Sequence, residues 1–492
     1  MNDRGPQDSY DPAQVDPAVE VNLEKAGSSV RLEEPSPPVS PWLPVALSSA
    51  LFMELLDTAA LGMALPAVAR DFGMDVVTLK LALTAYLLTM AVFVPASGWL
   101  ADRFGARRVF VNALKIYMIG SLVCALSDSM SVLVIGRVIQ GLGGAMMVPV
   151  ARLIVVASTP RERLVKAINA FTIPAIVGPL LGPPLAGVLL EVANWRWIFL
   201  INLPVGLVGM YAVLRLVPRL RHPHPGRFDT SGFVLAGISI VAFVALAELL
   251  GMPRVWWPWK VAVACVALLG CLAYVAHARG MDKPVLDLRL MSRRTYRASM
   301  IGSTAMRLGF GATPFLVPAL LQVGLGWSPL RAGSVMMAMM VGSVLARFGG
   351  MVAVRYFGFR MTLIASGVGV AILTATPALF QAATPLWLIM SAFLLLGFLR
   401  AAHFVAATPL AFAEIVPEEV SRASTLATVI QQLGLSMGVS LAGIALAWSP
   451  TDALSLASFA APFAVLGLAA LLTVPAYAGL NRDEAAHMRG ST

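Results

Sequence analysis

The chain has 492 residues, of which only 13% are charged and 58% are hydrophobic, with a mean hydropathy of +0.80. Soluble domains contain about 25% charged residues, so this composition excludes an ordinary cytosolic enzyme, a disordered chain, a collagen and a coiled coil. No basic stripe or RNA-binding signature accompanies the net charge of +10, which argues against a nucleic-acid partner.

Residues 1–41 are predicted to form a disordered acidic cytoplasmic tail. The first 40 residues carry eight acidic and three basic side chains. They contain no basic start followed by an apolar run, so they do not resemble a secretory signal peptide. Their Pro, Asp, Glu and Ser content buries too little apolar surface to stabilise a fold.

Fourteen apolar runs follow, each of about 18 to 25 residues, the length at which an α-helix crosses about 30 Å of hydrocarbon. The strands of outer-membrane barrels alternate apolar and polar residues, which these runs do not. The pattern therefore predicts an all-α polytopic membrane protein with helices near 43–66, 78–100, 109–127, 131–156, 165–190, 197–217, 230–250, 257–278, 298–323, 330–347, 360–380, 385–412, 423–448 and 454–479.

The basic residues predict the orientation of these helices. If the N-terminus is cytoplasmic, the inside loops carry 22 of the Lys and Arg residues and the outside loops carry six. The positive-inside rule then predicts a multi-pass protein of the bacterial cytoplasmic (inner) membrane with both termini in the cytoplasm.

Two pairs of similar segments along the chain indicate an internal duplication. GPLLGPPLAG in the fifth run and GLSMGVSLAG in the thirteenth each contain three glycines, and each glycine pair is 256 residues apart. RFG after the second run is matched by RYFG after the tenth. At about 32 residues for a helix and its loop, the spacing of 256 residues corresponds to eight helices. The repeat therefore predicts six helices, two extra helices and six more. The predicted segments are an N-terminal six-helix bundle at 42–220, two inserted helices with flanking loops at 221–290, a C-terminal six-helix bundle at 291–480 and a cytoplasmic tail at 481–492.

Four motifs resemble those of a transporter family. GWLADRFGARR, at residues 98–108, is similar to the signature loop of the major facilitator superfamily, and LVIGRVIQGLGGA, at 133–145, is similar to its second motif. GPLLGPPLAG resembles the antiporter motif, with Ala186 in place of a second glycine. LDTAALGMALP, at 56–66, resembles the first-helix motif of the fourteen-helix drug:proton antiporter (EmrB/QacA-type) family, with Ala59 and Gly62 at its usual Thr and Asn positions.

The resemblance implies a major facilitator fold and two kinds of moving part. It implies conformational gating by the signature loop, through Gly98, Asp102, Arg103, Gly105 and Arg107. In the fifth run, small residues permit close helix approach and prolines favour a bend, which predicts a hinge at Gly178, Pro179, Gly182, Pro183 and Gly187.

Few charged side chains are predicted inside the bilayer, and each must be paired with an opposite charge, be hydrated or serve a function. Glu54 and Asp57 are three residues apart and share one face of the first helix. Two neighbouring carboxylates do not both ionise easily in a low-dielectric cavity, so the pair is predicted to couple protons, a salt bridge to an arginine being the alternative. The resemblance favours Asp57 and assigns a proton relay to Arg137, for which a structural counter-ion is the alternative. Both readings place Arg137 near the first helix.

The C-terminal half contributes the other candidates. Arg307 and Arg400 either balance the first-helix acids or bind an anionic substrate group, because a guanidinium suits a carboxylate. Glu248, at the end of the seventh run, is predicted near an interface. The residues predicted to line a substrate cavity are Gln140, Arg307, Arg400, His403, Gln431 and Gln432.

The expected function is export of small amphipathic or cationic compounds in exchange for protons, by a chain that is not an enzyme and acts as a monomer in the lipid bilayer. No lysine follows a glycine and there is no HExxH or Cys/His cluster, so we expect a proton gradient rather than ATP, and neither a cofactor nor a metal. Two alternatives are an exporter of an organic acid, siderophore or metal chelate, and a channel or membrane enzyme.

Overall fold

The computed structural model describes residues 31–32, 40, 42–217, 220–221, 226–448 and 455–480. Most of the predicted acidic tail and the whole predicted C-terminal tail lie outside the described residues. Within the former, Arg31–Leu32 (β1) pairs in antiparallel fashion with Leu220–Arg221 (β2), a contact that the tail prediction did not include.

Fourteen helices of the described residues are long and apolar enough to cross a membrane. This confirms the all-α, fourteen-helix prediction. The spans are α1 (Leu43–Phe72), α2 (Val76–Phe104), α3 (Ala106–Ala125), α4 (Met130–Ser158), α5 (Lys166–Val192), α6 (Trp197–Leu216), α7 (Thr230–Leu250), α8 (Trp257–Arg279), α9 (Arg294–Gly324), α10 (Pro329–Arg347), α11 (Val352–Leu379), α12 (Leu386–Phe412), α13 (Pro417–Ala447) and α14 (Leu456–Ala478).

The helix ends explain two departures from the predicted bounds. The first helix continues through Pro66 and ends at Gly73, whose φ of 62° gives the left-handed C-cap that glycine adopts without strain. The second helix begins at Val76, where Asp75 caps Val77 N, so Lys80 lies inside α2 and is buried.

The helices form two bundles, α1–α6 and α9–α14, with α7 and α8 inserted between them in the chain. We call the face at which α1 begins the proximal face and the face at which it ends the distal face. The duplication is also visible in the backbone, because two turns at equivalent places contain a glycine with a positive φ. One turn follows α2, and the other lies within the helical segment Pro329–Ala375. Gly105 (φ 90°) and Gly358 (φ 76°) both hold a backbone conformation that other residues rarely adopt.

The paired glycines make equivalent contacts in the two halves. A Cβ on Gly182 would lie 3.0 Å from Ala59 Cβ, and one on Gly438 would lie 2.1 Å from Leu308 O, so α5 packs closely on α1 and α13 on α9. Gly187 lies against Leu330 and Gly443 against Lys80, each in the opposite bundle. Small residues thus allow close helix approach at matching places in both halves.

Several contacts join the two bundles near the distal face. Gln322 Nε2 donates a hydrogen bond of 2.9 Å to Met63 O, and Leu330 N donates one of 3.2 Å to Glu191 Oε1. A Cβ on Gly62 would lie 2.1 Å from Pro314 O. All these positions are in the distal halves of their helices, so the structure is an arrangement closed at the distal face.

The inserted helices attach to this frame through α7, which packs against α2 and α13, while α8 packs against α7. Asp229 precedes α7 and accepts hydrogen bonds from Gly232 N (2.8 Å) and Val285 N (3.3 Å), with His277 Nε2 2.8 Å away. Burial alone would raise the pKa of Asp229, but these hydrogen bonds outweigh it and lower the pKa. The carboxylate therefore ties both ends of the insert together.

Candidate functional site

The centre of the N-terminal bundle contains a buried ion pair between α1 and α4. Arg137 Nη1 contacts Asp57 Oδ2, and both side chains are fully buried. Arg137 Nε also donates to Ala82 O at 3.2 Å, and its Cζ lies 4.3 Å from the centre of the Tyr86 ring. The sequence-predicted contact of Arg137 with the first helix is therefore present, and its partner is Asp57.

Three further side chains complete a polar network around this pair. Gln140 Oε1 accepts from Arg137 Nη1 at 2.7 Å, and Gln140 Nε2 donates to Ser121 Oγ at 2.7 Å. Asn202 Nδ2 donates to Asp57 Oδ1 at 3.0 Å and to Ser121 Oγ at 3.3 Å. Residues of α4 and α6 thus bind the α1 carboxylate directly and Ser121 of α3 holds two of them, and such partners are what a buried charge requires.

Glu54 lies one turn before Asp57 and is partly buried. Its Oε2 atom is inaccessible to solvent and has no hydrogen-bond partner. An unpaired carboxylate oxygen at membrane depth is costly when ionised, so the site accommodates a protonated Glu54 better than a charged one.

The C-terminal bundle contains a separate site with two arginines, Arg307 and Arg400. Arg307 Nη2 donates to Gln431 Oε1 at 3.2 Å, and Arg307 Cζ lies 4.9 Å from the Phe404 ring centre, while its buried Nη1 atom has no partner. Arg400 Nη1 donates to Thr313 Oγ1 at 3.1 Å, and its Nε atom is buried without a partner. The ring of Phe310 lies 5.4 Å from Arg400 Cζ and 6.3 Å from the ring of Phe404.

These contacts separate two sequence alternatives for the arginines. The hydrogen bonds and ring contacts described for Arg307 and Arg400 all lie within the C-terminal bundle, and the partner of Asp57 is Arg137. Arg307 and Arg400 therefore do not balance the charge of Asp57 in this structure. Their guanidiniums instead lie beside aromatic rings, and each has a buried nitrogen without a hydrogen-bond partner.

The remaining predicted cavity residues occupy different surroundings. His403 is fully buried, and its ring is 3.0 Å from Ser366 Oγ and 3.5 Å from Tyr477 Oη, within the C-terminal bundle. Gln432 is buried between the bundles, with Nε2 3.6 Å from Met90 Sδ and Oε1 unpartnered. Gln431 is exposed beside Arg307, whereas Gln140 is fully buried in the Asp57 network.

The predicted gating loop lies at the proximal face, between α2 and α3. Arg107 Nη2 donates to Leu214 O of α6, so this arginine holds the end of that helix. Trp99 Nε1, within the same motif, donates to Gly226 O at 2.9 Å and therefore contacts the linker that leads to α7. Arg103 and Gly98 are exposed, and Asp102 is partly buried.

The predicted hinge in α5 is a continuous helix from Arg161 to Val192 that contains four prolines. Gly178 and Gly182 lie against α1, at Phe52 O and Ala59, and Pro183 O faces Gly333 of α10. The helix therefore contacts both bundles, and Pro179 lies between the two glycines that face α1.

Sequence reasoning missed Asn202, Ser121 and the aromatic pair Phe310 and Phe404. Asn202 had a usable signal, because it is an amide inside the apolar segment WRWIFLINLPVG and such a group needs a buried partner. The sequence contains no such signal for Phe310 and Phe404, because phenylalanine is common in membrane helices. Among the described residues, no cluster of three or more His, Cys, Asp or Glu could hold a metal ion.

Comparison with known proteins adds the family context. Residues 47–287 match the family model described as Major Facilitator Superfamily. A protein named "Putative multidrug resistance protein MdtD" from Klebsiella pneumoniae subsp. pneumoniae is 38% identical over 443 residues, which are 88% of this chain and 93% of the relative. One of the same name from Escherichia coli (strain SE11) is 37% identical over 446 residues, or 89% of this chain and 93% of the relative.

Solved structures show the same fold. A peptide transporter POT in complex with sulfate has a TM-score of 0.63 at 19% identity, covering 92% of this chain and 97% of that chain. The nucleoside transporter NupG has a TM-score of 0.63 at 12% identity, covering 89% and 99%.

Proposed function

The chain belongs to the major facilitator superfamily, and from this premise we propose that it is a proton-coupled antiporter that exports small amphipathic or cationic compounds by alternating access. Relatives that match most of its length are named multidrug resistance proteins, which supports the substrate class. The 22-to-6 distribution of basic loop residues supports a cytoplasmic proximal face in the bacterial inner membrane.

One observation carries the proposal: Asp57, fully buried, is bound by Arg137, Gln140 and Asn202. An ionised Asp57 neutralises the guanidinium, while a protonated Asp57 releases it. Proton binding therefore changes which contacts hold α1 to α4, and such a change biases one bundle arrangement over another. Glu54, one turn away with an unpartnered oxygen, provides a second carboxyl group for the same proton.

In the proposed cycle the proton enters from the distal side and leaves on the proximal side. The substrate travels in the opposite direction through a cavity between the bundles, as in transporters that rock around a central site. The ion gradient supplies the energy, and the chain needs no cofactor.

Transport by purified protein in proteoliposomes tests this directly. With an imposed pH gradient, the wild type is expected to move substrate uphill and Asp57→Asn is not, although downhill exchange can persist. Asp71→Asn is the matched control, because Asp71 pairs with Arg196 at 2.9 Å outside the buried network. Uphill transport by Asp57→Asn would contradict proton coupling through this residue.

A second candidate function is export of an organic acid, siderophore or metal chelate. It is favoured by the unpartnered nitrogens of Arg307 and Arg400, whose guanidiniums lie near aromatic rings and donate to no carboxylate among the described residues. A guanidinium binds a carboxylate through paired hydrogen bonds, and the rings suit an apolar body. Competition by aromatic carboxylates, lost in Arg307→Ala, would favour this function over export of cations.

A further inference from the structure

A buried ion pair links the inserted helix α7 to the N-terminal bundle near the distal face. Lys80 Nζ of α2 contacts Glu248 Oε2 of α7, and the exposed fractions of the two side chains are only 7% and 9%. Thr84 Oγ1, one turn further along α2, donates to Glu248 Oε1 at 3.1 Å. Two successive turns of α2 therefore bind one carboxylate of the insert.

The same carboxylate also binds the C-terminal bundle. Ser440 Oγ of α13 donates to Glu248 Oε1 at 2.6 Å, and Trp448 Nε1 donates to Leu250 O at 3.4 Å. Gly251 lies against Ile444, where a Cβ would be 3.3 Å from Ile444 Cγ1. The distal end of α7 thus rests on α13 while its carboxylate holds α2.

A glycine of the internal repeat makes room for the lysine. A Cβ on Gly443 would lie 2.2 Å from Lys80 Cε and 2.7 Å from Nζ. The lysine of one bundle therefore crosses directly over a helix of the other, at a position with no side chain. This contact requires α2 and α13 to be together at the distal face.

From these contacts we infer that Glu248 is a latch: it holds the distal face closed by joining Lys80 and Thr84 of one bundle to Ser440 of the other. The inference rests on the alternating access proposed above. When the distal face opens, α2 and α13 separate, and Glu248 must lose its partner on one side. Opening therefore breaks either the ion pair with Lys80 or the hydrogen bond from Ser440, and since either loss leaves the buried carboxylate less well compensated, these contacts together favour the closed state. The inserted helices therefore set the balance between the two arrangements.

Pulsed electron paramagnetic resonance on the full chain in nanodiscs measures this balance. Spin labels at Asp128→Cys and Ala382→Cys report the distance between exposed distal loops of the two bundles, in a background in which Cys265 and Cys271 are serine. We expect Glu248→Gln and Lys80→Met each to raise the ratio of distal-open to distal-closed molecules about tenfold, a usual size for such couplings. The double exchange Lys80→Glu with Glu248→Lys should return the ratio toward that of the wild type.

Two further variants keep the test independent of a folding defect. Gly443→Ala leaves all charges in place but displaces Lys80, so it should also favour the open state. Asp71→Asn removes a distal ion pair within a single bundle and should leave the distance distribution unchanged. Monodisperse Glu248→Gln and Gly443→Ala proteins with the wild-type distribution would overturn the latch.

Failure of the transport proposal has a different signature. A wild type that moves no substrate in proteoliposomes would contradict antiport, whereas the latch is judged by distances in the variants relative to the wild type. A shift in these distances supports the latch whichever compound is exported.

Discussion

Asp57 of α1 is bound to Arg137 of α4, and neither side chain has any exposed surface. Removing one member of a buried ion pair leaves an uncompensated charge and lowers the free energy of unfolding by about 3–5 kcal/mol. We therefore expect Arg137→Gln to melt well below the wild type in detergent. The double variant Asp57→Asn with Arg137→Gln should recover most of the stability but no proton-driven transport. If the double variant melts no higher than Arg137→Gln, the two charges are not the cause of the loss.

Asn202 is the member of the network that sequence reasoning missed, and its removal should be measurable. Asn202→Ala deletes the 3.0 Å hydrogen bond to Asp57 Oδ1, and hydrogen bonds to charged groups contribute about 1.5–3 kcal/mol. We expect a lower melting temperature and slower substrate–proton exchange. Asn112→Ala, at an exposed position of α3, is the matched control and should change neither quantity. Equal behaviour of the two variants would exclude a specific role for Asn202.

The sequence predicts most of the fold because membrane helices leave a strong signal. Each apolar run must satisfy its own backbone, so fourteen runs imply fourteen helices. The repeat also survives in three dimensions, since Gly187 and Gly443 make matching contacts with the opposite bundle. A charged side chain inside a helix interrupts the apolar run that marks the helix in the sequence. Lys80 lies near the predicted start of the second helix, but the sequence does not indicate its partner, because Glu248 is 168 positions away and only the packed helices bring the two together.

The site was predictable in part for the same reason. Asp57 and Arg137 stand out because charges in apolar helices are rare. Whether Arg307 and Arg400 face those acids depends on how the helices rotate about their axes, which hydropathy does not specify. Their aromatic neighbours give no signal before the helices are packed.

Arg400 offers a test that separates stability from function. Its side chain is buried with an unpartnered Nε, and replacing a poorly compensated buried charge with an apolar residue of similar size is often neutral or stabilising. We expect Arg400→Met to melt at or above the wild-type temperature while losing most substrate transport. Arg254→Met, in the exposed loop between α7 and α8, should retain transport. Full transport by a stable Arg400→Met protein would exclude Arg400 from the substrate site.

Gly187 permits a close contact between α5 and α10 at the distal face. A Cβ there would lie 2.9 Å from Leu330 Cα and 3.0 Å from Pro329 O, both backbone atoms that cannot rotate away. Gly187→Ala should therefore disfavour distal closure and make the cleft between the bundles more reactive toward an impermeant thiol reagent at an introduced Gln322→Cys. Gly479→Ala has no atom within 4 Å of its new Cβ and should behave as the wild type. Gly187 is in α5 and contacts α10, so this test does not involve the helices of the Lys80–Glu248 pair. Unchanged reactivity would show that α5 and α10 accommodate the methyl group without opening.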